Sequence, residues 1–293
     1  MVPITRIGLV AKTRLDAAAG VLAELATWLE ARGITPVFET GTAVLAGPAV
    51  SRHTSSKDDL PLCCGLIVVL GGDGTLIGMA GRIAQAHRDI PILGVNFGSL
   101  GFLTEITLPE LYASLESALN GTAQIEERMM LRSRTLRSGQ IYTDRLALND
   151  VVITKGALSR IIDLTVEIGA QPAMRVRADG LIVASPTGST AYNLAAGGPI
   201  LHPAVDALLV TPIAPHMLTN RPIVIPGSSE VRVRPAMDGH DEVFVTIDGQ
   251  FGYPLQADDE ILIARAERPF RLIRSRTRTY FEILREKLKW SQW

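Results

Sequence analysis

A continuous apolar run that ends in a glycine-rich loop constrains the fold of this chain more than any other feature. Residues 65–70 read Gly-Leu-Ile-Val-Val-Leu, without the polar alternation of a strand that has one face in water. Such a run predicts a strand buried on both faces of a parallel sheet. Gly71-Gly-Asp-Gly-Thr75 and a helical pattern from about Leu76 to Ala86 follow directly. This order is typical of open α/β sheets, which bind ligands at the carboxyl ends of their strands.

The chain up to about residue 122 continues this alternation of strand and helix, which predicts an open, mostly parallel sheet. Gly33 stands where a helix C-cap is expected. Residues Gly41–Asp59 are polar and rich in small side chains, so we predict a long surface loop there. The predicted elements are strands at Arg6–Ala11, Ile34–Phe38 and Pro91–Val95, and helices at Asp16–Arg32 and Leu108–Leu119.

Beyond residue 122 the pattern changes to the period of two that is typical of antiparallel sheets with one buried face. Ile162–Ile168 and Val231–Arg234 alternate apolar and polar residues, and Arg137–Gln140 predicts a hairpin turn. Helical character returns at Ser189–Ala196 and, as an amphipathic helix, at Tyr280–Trp290. The sequence therefore predicts an α/β domain followed by an all-β domain.

Composition excludes some classes of function. The 293 residues carry a net charge of −1, which argues against a general nucleic-acid binder. A targeting segment and an apolar run long enough to cross a membrane are not evident, so we expect a soluble, cytoplasmic protein without a membrane partner. The two cysteines, Cys63 and Cys64, are adjacent, and we expect both to be reduced.

The loop at residues 71–75 predicts a phosphate-binding site. Its glycines let backbone N–H groups approach an oxyanion, and the following helix adds a favourable dipole. The carboxylate of Asp73 repels phosphate, so its presence in a phosphate-binding loop requires a functional explanation. It would either accept a proton from a hydroxyl nucleophile or help to hold Mg²⁺. The alternative is that Asp73 only caps the helix. The Walker A and G-x-G-x-x-G spacings do not fit this loop.

A second polar segment runs from Asp179 to Tyr192, where an apolar strand leads into a turn rich in hydroxyl groups. Thr187, Ser189 and Thr190 supply compact donors and acceptors suited to a nucleotide. Tyr192 offers a ring on which a base can stack, a contact of about 1–3 kcal/mol. The alternative is ordinary helix capping with a core tyrosine.

Asn149 and Asp150 interrupt an apolar segment between Leu146-Ala-Leu148 and Val151-Val-Ile153. A strand does not place an amide and a carboxylate there without partners. One reading is a pair of residues that accepts hydrogen bonds from ribose hydroxyls. The other is a simple Asn-Asp turn, and these residues alone leave both readings open.

In order, these segments resemble those of the NAD kinase family over nearly the whole chain. The first motif alone is shared with diacylglycerol and sphingosine kinases, whereas the Asp179–Tyr192 run is far more specific. The motifs are Gly71–Thr75, Gly94-Val-Asn-Phe-Gly-Ser-Leu-Gly-Phe-Leu-Thr104, Asn149-Asp150, Asp179–Tyr192 and Pro212-Ile-Ala-Pro-His-Met-Leu-Thr-Asn-Arg-Pro222.

The resemblance implies a Rossmann-like α/β domain over residues 1–122, completed by a C-terminal helix at 279–293. It implies an antiparallel β-sandwich over residues 123–278 that binds NAD. It further implies a homodimer or homotetramer with the β-domains at the interface.

The same resemblance implies an activity, namely Mg²⁺-dependent transfer of the terminal phosphoryl group of ATP or polyphosphate to the 2′-hydroxyl of the adenosine ribose of NAD. Asp73 matches the catalytic base of the family, and Mg²⁺ would bridge phosphates rather than bind a dedicated set of side chains. The implied substrate-binding residues are Gly72, Asp73, Gly74, Thr75, Asn149, Asp150, Arg177, Asp179, Thr187, Thr190, Ala191, Tyr192 and Asp248.

Two positions depart from many relatives: Asp150 replaces a glutamate and Ala195 a serine. Two other functions stay open at this stage, a lipid kinase of the diacylglycerol type and a non-catalytic NAD(P)-binding sensor. The sequence does not decide between ATP, other triphosphates and polyphosphate as donor, nor between NAD and NADH as acceptor.

Overall fold

The computed structural model describes residues 4–50, 52–98, 100–156, 161–217, 219–237 and 242–290. The chain divides into two compact units, one comprising Met1–Glu127 and Phe270–Trp293, the other Arg128–Pro269. The expected boundaries after residues 122 and 278 differ from this division. The second unit is thus a continuous segment inserted into the first.

The elements of the first unit alternate strand and helix up to its first boundary. A short 3₁₀ turn, Leu108–Glu110, precedes the fifth helix. In chain order the elements are β1 (Arg6–Ala11), α1 (Ala18–Glu30), β2 (Thr35–Glu39), α2 (Thr40–Ala46), β3 (Thr54–Ser55), α3 (Leu60–Cys63), β4 (Leu66–Leu70), α4 (Asp73–Gln85), β5 (Ile92–Val95), α5 (Leu111–Leu119) and β6 (Ile125–Arg128).

The second unit contains twelve of the strands found in the described residues and one short helix. A 3₁₀ turn, Thr187–Thr190, precedes that helix. The elements are β7 (Leu131–Arg137), β8 (Gln140–Ala147), β9 (Asp150–Lys155), β10 (Ile162–Ile168), β11 (Gln171–Ala178), β12 (Gly180–Ala184), α6 (Tyr192–Ala195), β13 (Ala207–Ile213), β14 (Ile223–Pro226), β15 (Val231–Ala236), β16 (Val243–Ile247), β17 (Phe251–Pro254) and β18 (Glu260–Arg265); the chain then returns to the first unit with β19 (Phe270–Ile273) and α7 (Tyr280–Leu288).

The sheet of the first unit has the order β3-β2-β1-β4-β5-β19-β6. Strand β1 pairs in parallel with β2 and β4, and β5 pairs in parallel with β4 and β19. All five residues of β4 are fully buried, as the apolar run predicts. Leu22, Leu25 and Leu29 of α1 are also fully buried. The predicted α/β sheet is therefore confirmed.

The prediction of a long loop at Gly41–Asp59 is wrong, because this segment contains α2 and β3. Helix α2 consists of Thr-Gly-Thr-Ala-Val-Leu-Ala, which has little intrinsic helix propensity. The Glu39 carboxylate caps it by accepting hydrogen bonds from the Thr42 N–H and the Thr42 hydroxyl, both at 2.9 Å. Burial opposes the charge of Glu39, but hydrogen bonds from Gly41 and Thr42 lower its pKa.

The second unit is an antiparallel β-sandwich, as expected. One sheet has the order β11-β10-β15-β18-β7-β8 and the other β14-β13-β12-β9-β16-β17. Alternate residues of both sheets meet in one core, for example Val166 and Val233 from the first sheet and Leu181 and Val210 from the second. The two faces therefore exclude water between them, which is the principal stabilising term for such a sandwich.

Two hairpin turns of the sandwich follow from their sequences. Ser138 and Gly139 have φ angles of 50° and 76°, which confirms the predicted turn between β7 and β8. Asp248 and Gly249, with φ angles of 51° and 65°, are the central residues of the turn between β16 and β17, which the Gln250 N–H closes by donating to the Ile247 carbonyl at 2.9 Å. Positive φ at both central residues is the type I′ geometry, in which glycine and aspartate are favoured.

The helix predicted at Ser189–Ala196 is interrupted. The chain forms a 3₁₀ turn up to Thr190 and resumes as α6 at Tyr192, because Ala191 lies outside helical geometry with φ −95° and ψ −133°. The amphipathic helix predicted near the C-terminus is found as α7. Of the helices described, none combines the length and apolar character needed to span a membrane.

The last segment of the chain, from Phe270 onwards, belongs to the first unit again. Its strand β19 is an inner strand of the sheet of that unit. Just after β19, the buried guanidinium of Arg274 pairs with the carboxylates of Glu105 and Glu126. The domain boundary expected at residue 278 therefore lies after the elements that join this tail to the first unit. The four residues of β19 are too few for the sequence pattern to distinguish this strand from the β-rich segment that precedes it.

We expect Thr42→Val to lower the free energy of unfolding by about 1–3 kcal/mol. The Thr42 hydroxyl accepts a hydrogen bond from the buried Ala11 N–H at 2.8 Å and donates to Glu39, and valine offers neither contact. Thr27→Val is the matched control, since Thr27 is exposed on α1. Urea unfolding that shows equal losses for both variants would contradict this role of Thr42.

Candidate active site

The glycine loop connects β4 to α4 at the carboxyl edge of the parallel sheet. The Gly71 N–H donates to the Val95 carbonyl at 2.9 Å, which ties the loop to β5. Helix α4 begins at Asp73 rather than near Leu76, so Asp73 lies in its first turn. A Cβ added at Gly72 or Gly74 would have no described protein atom within 4 Å. The chain itself therefore leaves room for a ligand at these two glycines.

The Asp73 carboxylate does not cap α4; it holds a turn that follows β5. Its Oδ2 accepts a hydrogen bond from the Phe102 N–H at 2.8 Å. Its Oδ1 accepts from the N–H groups of Leu103 and Thr104 at 3.1 and 3.0 Å, and from the Thr104 hydroxyl at 2.9 Å. Four donors fix the orientation of the carboxylate, so capping is not what explains this residue.

The turn at residues 100–104 is shaped to receive Asp73. A Cβ at Gly101 would lie 2.1 Å from Asp73 Oδ1, so only glycine lets the carboxylate approach. The Asn96 side chain donates to the Thr104 carbonyl at 3.2 Å and supports the turn from behind. Thr104 was missing from the predicted site residues, although it ends the second motif quoted for the family resemblance. Its contact with Asp73 is tertiary and has no local signal.

In the second unit, Asp248 organises the Asn149–Asp150 segment. Its carboxylate accepts hydrogen bonds from three consecutive backbone N–H groups, those of Leu148, Asn149 and Asp150, at 2.8, 2.7 and 3.1 Å. The hairpin turn places Asp248 beside this segment, and the Asp248 N–H donates to the Asp150 carbonyl at 3.0 Å. The Asn-Asp pair is therefore more than a simple turn.

Asp150 is a buried acid with a perturbed pKa. Its side chain is 4 % exposed. Burial, and next the charge of Asp248, raise its pKa from the ordinary 3.8 to about 7. Burial also raises the pKa of Asp248, but the three backbone donors favour its ionised form. With a pKa of about 7, Asp150 takes up a proton as the pH falls below neutral. Perturbed acids of this kind are concentrated at functional sites.

The turn after β12 packs directly against Asn149. The Ser185 N–H donates to the Asn149 carbonyl at 2.9 Å. A Cβ at Gly188 would lie 2.0 Å from the same oxygen, so glycine is required at this close approach. The Thr187 hydroxyl oxygen is buried and has no hydrogen-bond partner among the described residues. A buried polar group of this kind requires an explanation, such as a partner on a bound ligand, an ion or a water.

Tyr192 follows this turn and its side chain is 45 % exposed. The alternative that Tyr192 is a core residue is therefore wrong. The Thr190 hydroxyl donates to the Thr187 carbonyl at 3.3 Å, and Ala191 lets the chain bend between the 3₁₀ turn and α6. Thr187, Thr190, Ala191 and Tyr192 thus lie on one short segment next to Asn149.

Arg177 and Asp179 lie elsewhere in the second unit. Gly180 begins β12 opposite Thr154, whereas Ala184 ends it opposite Asp150. The five residues of β12 span about 17 Å, so Asp179 is separated by that length from the Asn149–Asp150 segment. Asp179 instead pairs with Lys155, with 3.8 Å between Nζ and Oδ1. The predicted site residues of this unit therefore form two groups, one at each end of β12.

The predicted site residues could bind a divalent cation only together with the phosphates of a substrate. Within the described ranges, no group of three or more His, Cys, Asp or Glu side chains is arranged to hold a metal ion. Mg²⁺ commonly binds through one or two carboxylates, several waters and the phosphates of a substrate. The phosphates of a bound substrate would therefore have to supply most of the ligands of such an ion here.

The two units match the two domains of one family. Residues 7–123 match the ATP-NAD kinase N-terminal domain and residues 148–275 match the ATP-NAD kinase C-terminal domain. NAD kinases of Geotalea daltonii and Geobacter sulfurreducens are 49 % and 50 % identical to this chain, over 98 % of its length and 99 % of theirs. The chain therefore belongs to the ATP-NAD kinase family.

Solved structures agree with this assignment. A crystal structure of yeast NADH kinase complexed with NADH has a TM-score of 0.87 and 25 % identity, covering 99 % of this chain and 89 % of the yeast chain. An NAD kinase from Archaeoglobus fulgidus in complex with ATP has a TM-score of 0.75 and 24 % identity, covering 96 % and 99 %, and supports the fold. Because both domains of the NAD kinase family match, the lipid kinase alternative is not favoured.

We expect Asp150→Asn to change how stability depends on pH. Between about pH 4 and 7 the folded protein keeps a proton on Asp150 that the unfolded chain has lost, so this group makes the native protein less stable as pH rises. At about 1.4 kcal/mol per pH unit, the loss reaches at most about 4 kcal/mol. The unfolding free energy of the variant relative to the native chain should therefore increase over this range and then level off.

Urea unfolding at several values between about pH 4 and 8 measures this difference. Asp163→Asn is the control, because Asp163 is an exposed aspartate on β10. A constant difference between Asp150→Asn and the native chain at every pH would refute the raised pKa of Asp150.

Proposed function

We propose that this chain is an NAD kinase that transfers the terminal phosphoryl group of ATP to the 2′-hydroxyl of the adenosine ribose of NAD, giving NADP. Family membership supports the reaction class. The observation that carries the mechanism is the Asp73 carboxylate, which is fixed by the 102–104 backbone at the start of α4, between two glycines that face open space.

Asp73 acts as the general base through its Oδ2 atom. Oδ1 already accepts three hydrogen bonds, whereas Oδ2 accepts one, from Phe102. A carboxylate offers about four lone-pair positions, so Oδ2 retains the capacity to accept from a substrate hydroxyl. Fixing the carboxylate before the substrate arrives avoids reorganisation during the reaction, and a base so placed contributes about 10²–10⁴-fold.

The glycine loop binds phosphate. Gly72, Gly74 and Thr75 present backbone N–H groups and a hydroxyl at the beginning of α4, where the helix dipole favours anions. Mg²⁺, held by phosphate oxygens rather than by a set of side chains, would supply charge neutralisation on the triphosphate. The residues of the loop orient the donor so that its terminal phosphorus faces the hydroxyl.

The second unit binds the dinucleotide. Asn149 and Asp150 offer hydrogen-bond partners for ribose hydroxyls, and the unsatisfied Thr187 hydroxyl is available to a polar edge of the nucleotide. The exposed ring of Tyr192 stacks on a base. The yeast relative was crystallised with NADH, which supports a dinucleotide as ligand. Arg177 and Asp179, at the other end of β12, contact a separate part of a ligand.

We further propose a cytoplasmic homodimer or homotetramer that associates through the β-sandwich. Apolar side chains are exposed on the edge strands of this unit, and exposed apolar groups of this kind mark interaction surfaces. They are Ile141, Tyr142, Val224 and Phe251, exposed by 59, 47, 49 and 39 %.

The reaction is tested by incubating the purified protein with each pairing of donor and acceptor, with and without Mg²⁺. The donors are ATP, another nucleoside triphosphate and polyphosphate, and the acceptors are NAD, NADH and diacylglycerol. We expect NADP to form from NAD and ATP only when a divalent cation is present. Phosphorylation of diacylglycerol but not of NAD, or binding of NAD without turnover, would contradict the proposal.

A pair of variants tests Asp73 as the base. Asp73→Asn should lower kcat about 10²–10⁴-fold while NAD still binds. Asp73→Asn also disturbs the turn at residues 102–104, because an amide then replaces the carboxylate that accepts from the Phe102 N–H. Thr104→Val, which disturbs the same turn, is therefore the matched control. It removes one hydrogen bond to Oδ1 and keeps the carboxylate.

Thr104→Val should retain most of the turnover, since the base is still present. Rapid kinetics and equilibrium NAD binding on both variants separate the two roles of Asp73. Equal losses of kcat in the two variants would mean that Asp73 only supports the turn.

A further inference from the structure

The first unit contains a cavity of about 420 Å³ at the edge of its sheet opposite the glycine loop. It lies beneath the amino-terminal ends of β1, β4 and β5, beside β19 and the end of α5. Its volume falls within the range of about 300–1,000 Å³ that is typical of small-molecule sites. Apolar side chains form much of its wall, among them Ile4, Leu66, Ile125 and Ile273.

The charged groups of the wall are mostly cationic. Arg6, Arg88 and Arg271 line the cavity, whereas Asp89 is the one acid among the described residues of the lining. Arg88 donates to the carbonyls of Pro61 and Leu62 at 3.4 and 3.3 Å, so its guanidinium is held in place. The cavity therefore combines an apolar wall with a net positive charge.

The hydrogen-bonding capacity of the Arg271 guanidinium is only partly used by the protein. Its Nη1 lies 3.6 Å from Asp89 Oδ2, which is too long for a strong hydrogen bond, and that carboxylate is itself 62 % exposed. Its Nε is buried without a hydrogen-bond partner in the described part of the chain. The Arg271 side chain as a whole is 30 % exposed and lines the cavity, so the rest of its guanidinium is accessible to an anionic ligand.

The cavity is distant from the site proposed for phosphoryl transfer. Residues 65 and 66 line it, whereas the glycine loop begins after Leu70. From Leu66 to Gly71 the chain rises about 17 Å along β4. A ligand of the cavity therefore does not touch the glycine loop or Asp73.

We propose that this cavity is a second ligand site, which binds a small organic anion with an apolar body and a carboxylate or phosphate head group. The apolar body packs on the aliphatic wall and the head group binds Arg271 and Arg6. Arginine suits such a head group because its planar guanidinium donates two parallel hydrogen bonds.

Two cysteines provide a reporter that is specific for this cavity. Cys63 and Cys64 both line it, with 3.7 Å between their sulfur atoms, and they are the only cysteines of the chain. Cys64 is 5 % exposed, and burial, followed by the neighbouring Cys63, raises its thiol pKa. Cys63 is more accessible and is the thiol that a reagent should reach first. Protection of Cys63 from alkylation thus reports binding here and not at the nucleotide site.

The test uses a matched pair of fluorescent probes on the full chain. We expect 8-anilinonaphthalene-1-sulfonate to bind and to slow the alkylation of Cys63 by N-ethylmaleimide. N-phenyl-1-naphthylamine, which has the same rings without the sulfonate, should bind about tenfold more weakly. Equal binding of the two probes, or binding of the anion without protection of Cys63, would overturn the proposal.

Variants and competitors complete the test. Arg271→Met and Arg6→Met should each weaken the anionic probe about tenfold and leave the neutral probe unchanged. Arg52→Met, at an exposed arginine outside the cavity lining, is the control. Arg6 is exposed, so its replacement keeps the test valid if Arg271→Met does not fold. An equal effect of Arg52→Met would overturn the assignment.

Phenyl phosphate and benzoate, which share one apolar ring, identify the head group by their ability to displace the anionic probe. Displacement by either supports the proposal and shows which head group the arginines prefer. Displacement by neither would overturn it.

Discussion

The contact between Asp73 and the 102–104 backbone is the constraint on which the candidate site depends. It joins the first turn of α4 to the segment after β5 by four hydrogen bonds to one carboxylate. The carboxylate would repel a phosphate if it were free to turn towards it. Held in this way, it occupies a fixed position beside the glycines. The side chain that holds this turn in place is therefore also the one proposed as the general base.

In the second unit, the carboxylate of Asp248 likewise binds several backbone N–H groups. Asp248 binds three backbone N–H groups, which favour its ionised form against the effect of burial. Its neighbour Asp150 is buried without comparable donors, and burial raises its pKa to about 7. In each unit a carboxylate that binds backbone N–H groups determines where a polar segment lies. The predicted site residues near Asp73 and near Asp248 are thus positioned by acids rather than by packing alone.

The sequence predicts the elements with strong local signals and misses those that tertiary contacts create. The buried run of β4, the glycine loop and the Ser138-Gly139 turn are explained by residues within a few positions of one another. Helix α2 is not, because a buried glutamate and a contact with β1 compensate for its weak propensity. Asp248 was assigned through family resemblance, and its bonds to residues 98–100 positions away have no local pattern. The separation of Arg177 and Asp179 from Asn149 likewise becomes visible only in the strand register.

The position of β19 between β5 and β6 has a consequence for biosynthesis. A ribosome completes every residue of the β-sandwich before it adds Phe270–Ile273. Until then β5 lacks β19 as its partner strand and the α/β unit lacks an inner strand of its sheet, whereas all strands of the sandwich have been synthesised. The α/β unit, whose synthesis begins first, therefore cannot complete its sheet until the whole β-sandwich has been synthesised.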